Sequence, residues 1–385
     1  MIHFNVTNEI NDKARNVLRA FCERSCYNNE KNWKEMEEMK RLIKPMRLQR
    51  GDKVATVSLS WGGAGDEKIS WRYEQGKKRL VEQFGLEVIE MPHTLAGSDF
   101  LEKYPEKRAE DLMNAFKDPS IKGIISCIGG DDSIRILPYI DFEVIRKNPK
   151  IFMGYSDTTI THLICYKAGL SSFYGPAILS EFAENVCMFE YTTQWIEKVL
   201  FAADVIGEVE ASPIWTSEYL PWVIENKETQ RRLLPHHGFD WLQGRGIVTG
   251  RLFGGCIEVL EMAKGTKLWP DLSEFEDCIL FFETSEDTPD PSYLKYWLRN
   301  YGSQGILQKV RGIMFGKPYD DKYADDYRDV IKQVMIDELG LAHLTIVLNL
   351  NFGHTAPMMV LPYGGLVEID NDHHQITFLE CGTLK

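Results

Sequence analysis

The chain has 385 residues, 44% of them hydrophobic, and its 44 basic against 57 acidic side chains leave a formal charge of −13. That length exceeds the size at which one core stops growing, so two domains are expected, and the acidic surface excludes nucleic-acid backbones and anionic membranes as partners. No apolar run approaches the ~20 residues that cross a bilayer, and the start Met-Ile-His-Phe-Asn-Val-Thr lacks the basic-then-apolar pattern of a secretory signal. The eight cysteines fall singly, apart from Cys22 and Cys26, and read as reduced core thiols of a cytoplasmic protein.

Residues 1–45 are polar and charged, and the run from Asn28 to Arg41 predicts an exposed helix. This extension is expected to lie outside the catalytic fold, so that deleting it leaves turnover nearly intact. Over 46–210, apolar strands at 54–59, 87–91, 123–128 and 152–155 alternate with helices at 69–84, 106–116 and 158–167. That alternation specifies a doubly wound parallel sheet. Residues 211–245 form a Trp-rich connection, with Trp215, Trp222 and Trp241 in an otherwise polar stretch. Over 246–385, strands at 247–252, 279–282, 312–315 and 345–350 alternate with shorter helices, and 366–369 with 375–379 closes as a hairpin. The fold class is therefore α/β, a doubly wound parallel-sheet domain followed by a smaller mixed α/β domain.

Three strand ends carry chemistry. In Gly154-Tyr155-Ser156-Asp157-Thr158 an apolar strand stops at a glycine and a helix begins at once, which would lift the Ser156 Oγ above the sheet and aim the Asp157 N–H at an oxyanion. The plain alternative is that Ser156 or Asp157 caps the helix. The strand ending Phe281-Phe282-Glu283 delivers a carboxylate, and Asn351-Phe352-Gly353-His354 closes another strand with a histidine. Open α/β sheets assemble their sites at such ends, and Ser, Glu and His are the parts of a proton relay. Glu286 is a competing carboxylate, and His162, one turn beyond Ser156, a competing base, although it reads better as a packed histidine. No His-Glu-x-x-His or Cys-x-x-Cys occurs, and the adjacent His236 and His237 point opposite ways on an extended chain. No metal or cofactor is expected.

These segments resemble those of the LD-carboxypeptidase family of serine peptidases. The resemblance includes Gly51-Asp52-Lys53-Val54-Ala55, the Ile128-Gly129-Gly130 loop, Gly154-Tyr155-Ser156-Asp157-Thr158, Glu283-Thr284-Ser285-Glu286, Gly353-His354, and Gly250-Arg251-Leu252-Phe253-Gly254-Gly255. It implies a Ser156, Glu283, His354 triad, with Glu283 preferred over Glu286, and an oxyanion hole from the N–H groups of Gly130 and Asp157. Glu286 then serves the substrate or the following turn. The Gly-Gly-Asp run alone would also suit a phosphofructokinase-like sugar kinase, or a plain tight turn.

Within the family the chain is similar to the microcin C immunity peptidase branch, whose members cut the bond between a C-terminal aspartate and a modified nucleotide. Trp215 and Trp222 are then expected to stack on a nucleobase. The alternative of the same class is a murein tetrapeptide LD-carboxypeptidase, in which the tryptophans only pack the connection. A second class is a non-catalytic two-lobed binding protein, which a fluorophosphonate label on Ser156 would exclude. The expected partners are a small-molecule or peptide substrate and a second copy of the chain.

Overall fold

A computed structural model describes residues 41–385, so most of the expected N-terminal extension lies outside the described residues. β1 (Lys53–Val57), β2 (Glu87–Glu90), β3 (Ile121–Ser126), β4 (Ile151–Gly154) and β5 (Phe173–Tyr174) form a parallel sheet in the order β5-β4-β3-β1-β2. Val54, Ala55 and Val57 are wholly buried, as are Ile151, Phe152 and Met153. Strands covered on both faces need such continuous apolar runs rather than alternation. The helices Ser70–Glu82, Pro105–Lys117 and Thr159–Ala168 supply the crossovers. Pro105 opens its helix, where its missing N–H costs nothing, and Gly169, left-handed at φ 84°, closes the last of the three.

The second sheet is wider. β6 (Gly207–Glu208), β7 (Ile214–Trp215), β8 (Leu234–Pro235), β9 (Asp240–Gln243), β10 (Ile247–Cys256), β11 (Cys278–Glu283), β12 (Gly312–Gly316), β13 (Thr345–Leu350), β14 (Leu361–Pro362), β15 (Leu366–Asp370) and β16 (Gln375–Phe378) follow in the chain. Eight of them form one sheet in the order β6-β16-β15-β10-β11-β12-β13-β9, with β10 to β13 parallel and antiparallel strands at both sides. β7 and β8 pair with each other, and β14 pairs antiparallel with β5, so the C-terminal half completes the first sheet. The helix Thr159–Ala168 touches both sheets. Its Tyr166 ring packs edge-on against Phe253 at 5.1 Å, and its Thr159 Oγ1 accepts the Cys256 N–H at 3.1 Å.

Two boundaries differ from the sequence reading. Residues 41–45 belong to the fold: Leu42 is buried, Ile43 exchanges backbone hydrogen bonds with Gly169 and Ser171 (2.7 and 2.9 Å), and the Leu384 N–H donates to the Pro45 carbonyl at 2.8 Å. The Trp-rich stretch is not one loop, because β9 adds to the edge of the second sheet beside β13. Among the described residues no helix is long and apolar enough to cross a membrane, and the described cysteines form no disulfide.

Candidate active site

Three parallel strands of the first sheet and one strand of the second lead to one cleft of about 1350 Å³. β1 leads into Ser60 and Trp61, β3 into Gly129 and Gly130, β4 into Tyr155 and Ser156, and β11 ends on Glu283; His354 follows β13. Ser156 holds φ at 63°. A left-handed conformation costs a non-glycine residue about 1–3 kcal/mol and persists where surrounding structure enforces it. Three contacts enforce it here. The Ser156 N–H donates to the Tyr174 hydroxyl at 3.1 Å, its carbonyl accepts from Thr159 Oγ1 at 2.7 Å, and Gly129 packs so closely that a Cβ there would lie 2.8 Å from that of Ser156. Neither Ser156 nor Asp157 caps the helix that follows. The side chain of Asp157 is buried and accepts instead from the Ser133 N–H at 2.8 Å, tying the glycine loop to the serine turn.

The relay atoms are in line. His354 Nε2 lies 3.0 Å from Ser156 Oγ, and Nδ1–H donates to Glu283 Oε2 at 2.6 Å. The other oxygen, Oε1, accepts from the Tyr174 hydroxyl at 2.5 Å. Gly353 must lack a side chain, since a Cβ at its φ of 95° would come within 2.7 Å of Glu283. Burial works to lower the His354 pKa, but the carboxylates of Glu283, Glu286 and Glu258 outweigh it and push it up to about 9. Burial, reinforced by the Glu283 charge, holds the Tyr174 phenol well above its ordinary range, so it remains a donor. Such an arrangement can take a proton from a serine hydroxyl and return it to a leaving group.

The remaining expected residues divide. Gly130 (φ 143°) sits beside the serine turn; a Cβ there would lie 2.3 Å from Ser60 Oγ and 2.8 Å from the Trp61 nitrogen. Arg108, fully buried, donates to the carbonyls of Leu59 and Ser60 and to both carboxylate oxygens of Asp132, bracing the two loops together. Glu286 reaches His354 Nε2 at 3.0 Å, and Trp222 lines the cleft. Trp215 does not. It is buried in the β7–β8 hairpin with the Lys317 ammonium 4.0 Å from its ring centroid, so its expected stacking role is corrected to a packing one. Trp241 likewise lies outside the cleft, stacked on His374 at 4.9 Å. His162 is buried with Nε2–H on the Gly154 carbonyl and Nδ1 on Ser172 Oγ, both at 2.8 Å, and burial lowers its pKa to about 4. It is a packed neutral histidine.

Two functional candidates had no role from sequence. Trp61, 40% exposed, stacks on Trp222 with ring centroids 6.2 Å apart, making the aromatic wall of the cleft. Its place after Ser60, at a strand end, was the available signal. Tyr174 offered none, because its link to Glu283 spans 109 residues of sequence. Tyr174→Phe is expected to lower kcat about tenfold and stability by about 1–3 kcal/mol, since one Glu283 oxygen loses its only donor among the described residues. Steady-state kinetics and denaturant unfolding read both effects; an unchanged kcat would mean that His354 alone holds Glu283 in place.

Comparison with known proteins gives two family matches in chain order: the LD-carboxypeptidase N-terminal domain over residues 54–175 and the LD-carboxypeptidase C-terminal domain over residues 249–369. The microcin C7 self-immunity protein MccF of Escherichia coli is 30% identical over 277 residues, 71% of this chain and 78% of that protein. An MccF-like protein from Streptococcus pneumoniae, solved in complex with AMP, superposes with a TM-score of 0.79 at 35% identity, covering 85% of this chain and 98% of the other. MccF in complex with aspartyl sulfamoyl adenosine superposes with a TM-score of 0.76 at 25% identity, covering 89% of this chain and all of the other.

Proposed function

Because the chain belongs to the LD-carboxypeptidase family and is thus a serine-peptidase-like hydrolase, we propose that it hydrolyses aminoacyl nucleotides of the microcin C type. Ser156 is the nucleophile in this reading. His354 Nε2 takes the Oγ proton as Oγ bonds to the acyl carbon, and the oxyanion is held by the N–H groups of Asp157 and Gly130. The same proton then passes to the leaving nitrogen, and water, activated by His354, releases the acyl group. Glu283 orients the imidazole and balances its charge.

The observation that carries the substrate assignment is the Trp61–Trp222 stack in the cleft that also holds Ser156. A nucleobase finds aromatic faces there, and stacking contributes about 1–3 kcal/mol per base. The complexes of similar proteins with AMP and with aspartyl sulfamoyl adenosine support the same reading. Trp222→Ala is therefore expected to lower kcat/KM on an aspartyl-adenylate analogue by about 1–3 kcal/mol, and to change a murein tetrapeptide far less. Trp215→Ala should instead cost stability and affect both substrates alike. Turnover of the two substrates, read by mass spectrometry, tests the assignment, and hydrolysis of the murein peptide alone would replace it with the LD-carboxypeptidase activity of peptidoglycan recycling.

A further inference from the structure

The carboxylate of Glu286 occupies a place that the relay does not require. Its Oε2 lies 3.0 Å from His354 Nε2, the nitrogen that also faces Ser156 Oγ at 3.0 Å. Glu283 already fixes the other ring nitrogen, so Glu286 is not needed to orient the imidazole. Its side chain is 61% exposed on the cleft wall, and among the described residues His354 is its only ion-pair partner. The preceding residue is anchored: Glu258 Oε1 accepts both the Ser285 N–H and the Ser285 hydroxyl at 2.8 Å. Glu286 is thus an exposed anion beside the reacting serine, following an anchored residue and, among the described residues, paired with no cation other than the His354 imidazole.

We propose that Glu286 receives a positively charged amino group on the acyl residue of the substrate, and that this occupancy frees His354 to act as the base. The inference rests on the acyl-transfer reading above and names which acyl groups it takes. Nε2 can carry one hydrogen. With that hydrogen in place the ring is an imidazolium donating toward Glu286, and it cannot accept the serine proton; with it gone, Ser156 Oγ–H donates to Nε2. An acyl carbon about 3–3.5 Å from Ser156 Oγ carries its α-nitrogen two bonds away, within reach of a carboxylate that borders the same Nε2. An ammonium there pairs with Glu286, the Nε2 proton loses its partner and leaves to solvent, and the base is restored.

The groups facing His354 are consistent with this. Glu283 approaches from the end of β11, Glu286 from the following loop, and Glu258 from the helix Ile257–Ala263, while the Tyr155 ring packs edge-on from the end of β4 at 5.1 Å. Against the lowering effect of burial, the three carboxylates bring the His354 pKa up to about 9, so the resting ring is charged at neutral pH.

The test uses the full-length protein, Glu286→Gln and Glu286→Asp, with an aspartyl-adenylate analogue bearing either a free or an N-acetylated α-amino group. On the N-acetylated compound, where no substrate amine titrates, the acid limb of kcat/KM should fall near pH 9 for the native protein and move down by about one to two units in Glu286→Gln. The native protein should prefer the free amine by about tenfold, Glu286→Gln should show no preference, and Glu286→Asp should retain part of it. An acid limb that stays in place, or a preference that survives in Glu286→Gln, overturns the inference. Absence of Ser156-dependent turnover on these compounds would remove the proposed function and this inference together, whereas Ser156-dependent turnover with an unmoved limb removes this inference alone.

Discussion

Ser156→Ala and His354→Ala are each expected to lower kcat by about 10⁴- to 10⁶-fold, and the double mutant to lose scarcely more than either. The reason is the single line of atoms from Ser156 Oγ through His354 to Glu283, with contacts of 3.0 and 2.6 Å. Once one member is gone, the others have no proton to move. Glu283→Ala should lose as much activity or somewhat less, because the imidazole loses its orienting carboxylate while Ser156 and His354 remain. Each variant should stay folded: none of the three side chains belongs to the hydrophobic core, and Ser156→Ala keeps the backbone N–H that donates to Tyr174. Circular dichroism and single-turnover kinetics distinguish a lost relay from a lost fold. Losses that simply multiplied in the double mutant would argue that the two residues act in separate steps.

Gly130→Ala carries the second-largest expected effect, about 10²- to 10³-fold in kcat, the range for losing the one oxyanion donor proposed for it. At φ 143° the backbone is strained for any L side chain, and the added Cβ would meet Ser60 Oγ at 2.3 Å and the Trp61 nitrogen at 2.8 Å. Those atoms cannot yield freely. The Trp61 N–H donates to the Gly129 carbonyl, and the buried Arg108 clamps Ser60 to Asp132. The strain is therefore relieved by turning the 129–130 peptide, which moves the Gly130 N–H away from the carbonyl at Ser156. Because Trp61, on the neighbouring loop, donates its N–H to the Gly129 carbonyl, KM for a nucleotide substrate should rise as well. An unchanged kcat with a raised KM would place Gly130 in substrate binding and the second oxyanion donor elsewhere.

Much of this arrangement was legible because it depends on local order in the chain. Apolar runs such as the Cys-Ile-Leu-Phe-Phe that leads into Glu283 announce strands buried on both faces, and a polar residue at or just beyond the end of such a run lies at a strand end whatever the tertiary details. Ser156, Glu283 and His354 were singled out in that way, and the structure brings them within hydrogen-bond reach of one another. What escaped depends on contacts between distant segments. Trp215 and Trp222 sit seven residues apart in equally polar surroundings, and only the pairing of Trp215 with Leu234 and the cation of Lys317 decide which is buried. Leu42 lies in a charged stretch, yet it fills the space beside Gly364 that a side chain there would occupy. The two-residue strand Leu361–Pro362 is too short to carry any periodicity and is formed by its partner, Phe173–Tyr174.

The central claim, that Ser156 is an activated nucleophile, is tested most directly by fluorophosphonate labelling of the full-length protein followed by peptide mass spectrometry. One adduct on Ser156 is predicted, absent from Ser156→Ala, strongly slowed in His354→Ala, and matched by loss of hydrolysis in step with labelling. A protein that stays unlabelled while it hydrolyses its substrate, or that carries the adduct on another residue, would contradict the account.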